Sequence, residues 1–344
     1  MGIKRLASTL GLSIATVSRA LNDHPEVSMQ TRERVKAAAK AIAYSPNQSG
    51  RSLRKGRHNT VGLMLPPKGS PQHHNWDPFH TLAEGIQARI ASEDLELVLF
   101  QSSDPADELS RLKRVVERRL VDGIILAGTL RRDPRLDYIS EQDFPFVTWG
   151  RSLSGGEHSW VDFDFEVGIA QEIGQLIAIG HRRIALVTPN NDAMEGHLMR
   201  HGYRAAMRRH KVSVQKEYLG RDEVSERGGH REMTRLLALD APPTAVIFQS
   251  DCMAVGAYGC MQSLGQKPGV DMAIFGGVLT GELAQYLTPT LSGFSVNLRP
   301  LGECLAEALL GHMAGQTANL TGINAHQLWP LDILHGESDG TAPA

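Results

Sequence analysis

The 344-residue chain reads as an all-α helix-turn-helix headpiece joined to an α/β core of two doubly wound subdomains, and three observations predict this. Residues 3–53 carry three short helical patterns, a tight turn and a basic tail. From Val61 onward, short apolar runs alternate with amphipathic helical patterns. The charge divides at the same place. Residues 1–58 hold 11 Lys+Arg against 3 Asp+Glu, a net +8, whereas residues 59–344 hold 25 against 35, a net −10.

In the headpiece, Leu6, Leu10, Val17 and Leu21 form an apolar stripe that can join the first two helices across Gly11-Leu12-Ser13 at a helix-turn-helix angle. Ser13 suits the N-cap of the second helix, its hydroxyl accepting from an orphan amide. Ile14, Ala15, Thr16, Ser18 and Arg19 then fall near the helix start, where such motifs meet base edges in the major groove. A third helix is expected from Ser28, its N-cap, to Ala43, with Val35, Ala38, Ala39 and Ile42 facing inward. Tyr44-Ser45-Pro46 ends it, because the residue before proline is driven out of helical space. Residues 47–60, rich in Arg, Ser and Gly, read as a flexible linker. A cationic segment gains affinity for duplex DNA by releasing counterions, while an acidic body is repelled by phosphates. A merely solvated charged face is the alternative, but it leaves the coincidence with the helical pattern unexplained.

The core shows strand-like runs at 61–65, 95–100, 123–128, 144–149, 183–188, 244–250 and 272–277. Helical patterns lie at 79–92, 106–120, 165–179, 197–210, 226–239, 254–264 and 300–314. Continuous apolar strands with helices between them imply parallel sheets covered on both faces. The alternation restarts near residue 183, where IALVTPN echoes the earlier VGLMLPP. Two doubly wound subdomains follow, with a ligand expected between them at the carboxyl ends of the strands.

Several function classes are disfavoured. No apolar run approaches the roughly 20 residues that span a bilayer, and the start MGIKRLASTLGL lacks a signal-peptide core. Cys252, Cys260 and Cys304 show neither CxxC spacing nor an even count, which suits buried thiols in a reducing, cytoplasmic setting. The fourteen histidines form no HExxH pattern, and His73-His74 lack partners at metal spacing. No Walker A or GxGxxG follows a strand, and no GxSxG surrounds Ser250-Asp251. The expectation is a protein that is not an enzyme and needs no cofactor or metal.

The strings LASTLGLSIATVSRALN, VSMQTRERVKAAAKAIAYSPN, RSLRKGR-x-x-TVGLMLP, RRLVDGIILAG, IGHRRIALV and PPTAVIFQSDCMAVGA together resemble the lactose-repressor (LacI/GalR) family of transcription regulators across nearly the whole chain. The resemblance implies a helix-turn-helix domain over 1–45, a hinge helix and linker over 46–58, and a periplasmic-binding-protein-like core over 59–344. It implies a homodimer on operator double-stranded DNA, at the nucleoid. Ile14 and Ala15 would occupy the two specificity positions, offering apolar contact. Thr16, Ser18, Arg19 and Asn22 would meet bases or phosphates, with Arg19 able to pair bidentately with guanine. Ser13, Thr31 and Tyr44 would make positioning contacts to the DNA backbone, although each hydroxyl equally suits an ordinary cap or solvated group. Leu53 matches the family's minor-groove wedge, with Asn47, Gln48 and Arg51 lining the same groove. Ser49 and Gly50 depart from the helix-favouring residues common in the hinge.

The effector site transfers less directly. Where the family carries polar side chains on a sugar or purine, this chain has Met199, beside Arg200 and His197, and Gly150, Ser250 and Val278. Asp251 is retained, and equally suits bonding amides at its helix start. In WDPFH (76–80), Trp76, Phe79 and His80 can supply an aromatic floor and a hydrogen bond, or a core Phe79 and an exposed Trp76. Residues 148–166 place Arg151, His158, Asp162 and Asp164 near the subdomain crossover and look like a branch associated with glycoside regulation. The candidate effector set is therefore Trp76, Phe79, His80, Arg151, Asp164, Met199, Arg200, Ser250 and Asp251. The expected function is repression of carbohydrate uptake or catabolism genes, relieved by a small sugar-like effector. A corepressor-dependent regulator of a non-sugar metabolite and a transport solute-binding protein are the alternatives.

Overall fold

The computed structural model describes residues 3–21, 23–42, 44, 58–66, 77–102, 104–279, 281–314 and 326–343. Internal contacts divide the chain into two units, Met1–His58 and Asn59–Ala344. Asn22, Asn47, Gln48, Arg51, Leu53 and Trp76, and with them the hinge segment, lie outside the described residues.

In the first unit, α1 (Ile3–Leu10), α2 (Ile14–Leu21) and α3 (Met29–Ala41) enclose a small core. Leu6, Val17, Ala20 and Val35 are fully buried there, and Leu10, Leu21, Ala38, Ile42 and Tyr44 pack around them. Gly11 turns the chain between α1 and α2 at φ +66°, a left-handed conformation that glycine adopts without a Cβ penalty. Ser28 caps α3 by accepting from the Thr31 amide at 3.3 Å. The helix stops at Ala41, short of the expected Ala43, where the Ile42 and Tyr44 amides turn back onto Ala38 and Ala39.

The second unit contains two six-stranded sheets. One runs β11-β5-β4-β3-β1-β2, built from His326–Trp329, Trp160–Phe163, Phe146–Trp149, Gly123–Leu126, Thr60–Leu65 and Glu96–Gln101. The other runs β12-β10-β9-β8-β6-β7, from Asp332–Leu334, Ser292–Ser295, Ala273–Leu279, Ala245–Phe248, Ile184–Pro189 and Leu219–Asp222. Every pairing is parallel except β10 with β12. Central strands such as β3, β6 and β8 are buried on both faces, hence their unbroken apolar runs.

Five strands were not visible as apolar runs. β7, β11 and β12 are edge strands with one neighbour, and they carry exposed or half-buried polar residues. β5 and β10 are four residues long and interrupted by Asp162 and Gly293.

The helices, in chain order, are α4 (Asp77–Ile90), α5 (Glu108–Glu117), α6 (Pro134–Ile139), α7 (Phe165–Ala178), α8 (Met194–Arg209), α9 (Glu226–Leu237), α10 (Asp251–Ser263), α11 (Leu283–Tyr286) and α12 (Leu298–Met313). The chain leaves the first half at Asp164, not near residue 183, because α7 already packs on α8 and β12. It returns through α12, which packs on α4, β3 and β4. Close helix contact there needs glycine. A Cβ on Gly85 would collide with the Arg299 carbonyl, and one on Gly302 with the Leu82 carbonyl.

Candidate nucleic-acid interface and ligand cavity

The α2 helix buries Val17 and Ala20 and turns its other side outward. Ile14 is 45 % exposed, and Ala15 and Arg19 are exposed with it, although an isoleucine in such a small core would ordinarily be drawn inside. Ser13 accepts from the Thr16 amide at 3.0 Å and meets the Thr16 hydroxyl at 2.8 Å, so both hydroxyls hold the helix start. Thr31 likewise meets the Ser28 hydroxyl at 2.9 Å. Arg19 lies 3.5 Å from Glu26 with both side chains more than half exposed, an arrangement of small net strength that a stronger anion can replace. Lys36 pairs with Asp23 at 2.6 Å and holds that carboxyl below its usual range.

In the second unit a cavity of about 330 Å³ opens where the carboxyl ends of both sheets face each other. Its rim is tied by backbone. Leu130 and Ala193 form an antiparallel bridge, the Arg131 amide donates to Asp192 at 2.8 Å, and the Met194 amide donates to Thr129 at 3.1 Å. One wall is aromatic. Phe79 meets Trp149 edge-on at 5.9 Å, Trp149 meets Phe163 at 6.0 Å, and Phe163 meets Phe165 at 5.7 Å.

Beside that wall, Arg151 donates from Nε to Asp162 at 2.8 Å, and its Nη1 lies 3.6 Å from Glu166. Burial pushes the Asp162 carboxyl up, and the Arg151 guanidinium opposes that shift. On the opposite wall, Gln249 donates from Nε2 to Glu195 at 3.1 Å. Ser250 caps α10 by accepting from the Cys252 amide, and Asp251 accepts from the same amide at 2.7 Å. Burial pushes the Cys252 thiol up to about 12, so it stays protonated and unreactive. On the residues that line the cavity, two buried polar atoms have no partner among the described residues: Nη2 of Arg151 and Oε1 of Gln249. A buried donor and a buried acceptor on residues that line one cavity are exceptions to the usual pairing of buried polar groups.

The sequence-derived effector candidates separate here. Phe79, Arg151, Ser250 and Asp251 line the cavity. Four others lie away from the cavity lining. His80 is exposed and pairs with Glu84 one helical turn away. Asp164 caps α7 through the Val167 amide at 3.2 Å. Met199 is fully buried in the core, and Arg200 donates to the Thr188 hydroxyl at 2.6 Å. None of the four lines the cavity. His158 lies at the other end of β5, stacked on Phe146 at 5.5 Å.

Sequence reasoning missed Trp149, Glu195, Glu226 and Gln249. Trp149 and Gln249 had a readable signal: they end, or directly follow, an apolar strand, where a parallel sheet presents side chains to its ligand. Among the described residues no cluster of three or more His, Cys, Asp or Glu is arranged to hold a metal. No helix among them is long and apolar enough to cross a membrane.

Comparison with known proteins agrees with this two-part arrangement. The model for bacterial regulatory proteins of the lacI family matches residues 3–47, and a periplasmic binding protein-like domain matches residues 173–327. The HTH-type transcriptional regulator RafR of Escherichia coli is 34% identical over 281 residues, covering 81% of this chain and 82% of that protein. The transcriptional regulator CelR–cellobiose complex superposes with a TM-score of 0.73 at 25% identity, over 98% and 99% of the two chains. The lac repressor dimer bound to operator and the anti-inducer ONPF shares the fold, with a TM-score of 0.85 at 22% identity over 99% of each chain.

Proposed function

Because this chain belongs to the lacI family of bacterial regulatory proteins, we propose that it is a sequence-specific operator-binding repressor released from DNA by a small sugar-like effector. The observation that carries this reading is the outward face of α2, where an apolar side chain and a guanidinium stand exposed on a helix whose other side is fully buried. Ile14 and Ala15 supply apolar contact to base edges, and Arg19 supplies the hydrogen-bonding base contact. Ser13, Thr16 and Thr31 fix the helix starts and contact phosphates, joined by Ser18 and Tyr44. Asn22, Asn47, Gln48, Arg51 and Leu53 are assigned to the same DNA surface on the sequence motif alone. Two chains in a homodimer read the halves of a pseudo-palindrome, as the operator-bound relative's dimeric state supports. A reader of genomic DNA works in the cytoplasm, at the nucleoid.

The cavity supplies control. Phe79 and Trp149 pack on a sugar ring, while Arg151, Gln249, Ser250 and Asp251 meet its hydroxyls. A ligand changes DNA affinity only through its unequal affinity for two core conformations, so ligand and operator must oppose each other reciprocally. The rim bridge between Leu130 and Ala193 ties the two halves of the core across the cavity, so opening the core would have to break it. The test is selection of genomic fragments on the purified full chain, followed by elution with a panel of glycosides. Enrichment of one palindromic site, released by a sugar, is expected. Retention of random fragments contradicts the repressor reading, and tighter retention with sugar makes the ligand a corepressor.

A further inference from the structure

We propose a second ligand site at the rim, outside the cavity, where Arg131 of one half of the core joins His197, Arg200 and Arg221 of the other to seat a phosphoryl group. None of the four lines the cavity, so this site does not depend on the effector reading above. Residues 188–192 hold three of them. Arg200 donates from Nη1 to the Thr188 hydroxyl at 2.6 Å. Arg221 lies opposite Thr188 on β7 and donates to the Pro189 and Asn191 carbonyls at 3.3 and 2.9 Å. The Arg131 amide donates to the Asp192 carbonyl at 2.8 Å. Gly196 gives Arg200 room to fold back along α8, since a Cβ there would stand 3.2 Å from its Nη1. That guanidinium therefore lies over the first turn of the helix, beside His197.

The cluster is short of countercharge. The acceptors of Arg200 and Arg221 are a hydroxyl and two carbonyls, none of them ionised. Nε of Arg131 is buried with no acceptor among the described residues. Burial holds the His197 imidazole below its usual range; Arg131, Arg200 and His201 push it the same way, and Asp192 opposes them. Burial also lowers Arg200, with Arg221 and Arg204 adding to it and Asp192 again opposing. Each group thus meets its neighbours as like charges, and one exposed carboxylate cannot balance three guanidiniums. Neighbouring carboxylates are engaged elsewhere: Glu166 with His201 at 2.6 Å, and Asp222 with Arg231 at 2.5 Å.

The chemistry of these donors selects the ligand. A guanidinium stays charged and offers paired N–H groups in a planar fork that matches the oxygens of a phosphoryl group. A phosphate monoester brings three acceptor oxygens and a charge of roughly −1.5 to −2 at pH 7, enough to engage several guanidiniums at once. Such an anion satisfies Nε of Arg131 and turns the repulsion among the cations into attraction. It also links the two halves. Arg131 stands between β3 and α6, while the other three stand on α8 and β7, on either side of the bridge from Leu130 to Ala193. A ligand that contacts both sides favours the joined rim over a parted one.

The experiment is calorimetric titration of the full chain, dialysed into chloride, with inorganic phosphate and with glycerol 3-phosphate; sodium chloride at equal ionic strength is the blank. Saturable binding is expected, and the tighter of the two probes tells whether the free ion or an esterified metabolite supplies the phosphoryl group. Arg131→Gln and Arg221→Gln, made singly, should each weaken it on the order of tenfold or more. In chloride alone Arg131→Gln should melt no lower than the parent chain, because it removes a buried donor without an acceptor. A lower melting temperature there would assign that guanidinium to the fold and overturn its role. Hydrogen exchange gives a second readout that needs no variant. Phosphate should slow exchange at the Arg131 and Met194 amides, which donate across the rim. No saturable binding, an affinity that both variants leave unchanged, a response that chloride reproduces, or rim amides that exchange as before overturns the proposal.

Discussion

Among the described residues, the Arg19 side chain is held by an exposed pairing with Glu26, so its loss should disturb the headpiece little. Arg19→Ala is expected to cost roughly 1–3 kcal/mol at one operator position and relax discrimination there. Competition with single-base operator variants checks this, and an equal loss on random DNA contradicts the role. Glu172 carries a different residue-scale prediction. It is fully buried on α7, and burial together with the nearby Asp339 charge raises its pKa from 4.5 to about 8. The unfolded chain therefore ionises this group first as pH rises. The stability it contributes is complete below pH 4.5 and is lost progressively up to about pH 8. Glu172→Gln should raise the unfolding free energy at pH 9 more than at pH 5, by an amount on the order of 3 kcal/mol, read as a larger gain in melting temperature at pH 9. Equal effects at both values would remove Glu172 as the cause. Local chemistry was the most legible part of the sequence at this scale: Ser13 and Ser28 hold their helix starts through amides three residues on. Met199 was not legible, since only the packing of α8 against the core decides which way a methionine points.

At the scale of elements, α9 and α10 cross so closely that glycines replace side chains. A Cβ on Gly229 would strike the Met253 carbonyl, and one on Gly256 the Glu226 carbonyl. Glu226 opens α9 and lines the cavity, so this crossing sets the position of a ligand-facing group. Gly256→Ala should destabilise the core by about 1–3 kcal/mol and weaken effector binding, while operator binding by the folded fraction persists. Thermal melts with a parallel operator titration check it; unchanged stability would mean that the two helices can separate without loss. Apolar periodicity revealed the inner strands β1, β3, β6, β8 and β9 because neighbours cover both faces. It did not reveal β7, β11 and β12, whose free edges tolerate polar residues. The same limit hid the crossover at Asp164, because a helix looks alike whichever sheet it covers.

Over the whole molecule, charge separation was fully legible, since +8 on residues 1–58 and −10 on the remainder need no fold to be counted. It predicts operator affinity that falls steeply with salt, while binding of a neutral effector in the core stays nearly constant. The cavity was legible as a place, at the strand ends between two doubly wound halves, but not as a set of side chains. Gln249 and Glu195 meet only because β8 and α8 converge there from positions 54 residues apart. The measurement that bears most directly on a DNA grip tuned by a core ligand is fluorescence anisotropy of a labelled operator, titrated with the full chain at fixed salt. Run beside a scrambled duplex, and with and without a saturating neutral glycoside, it should show a preference of about a thousandfold or more for the operator that the sugar lowers. Equal affinity for both duplexes, or an operator affinity that no bound sugar alters, would contradict the account.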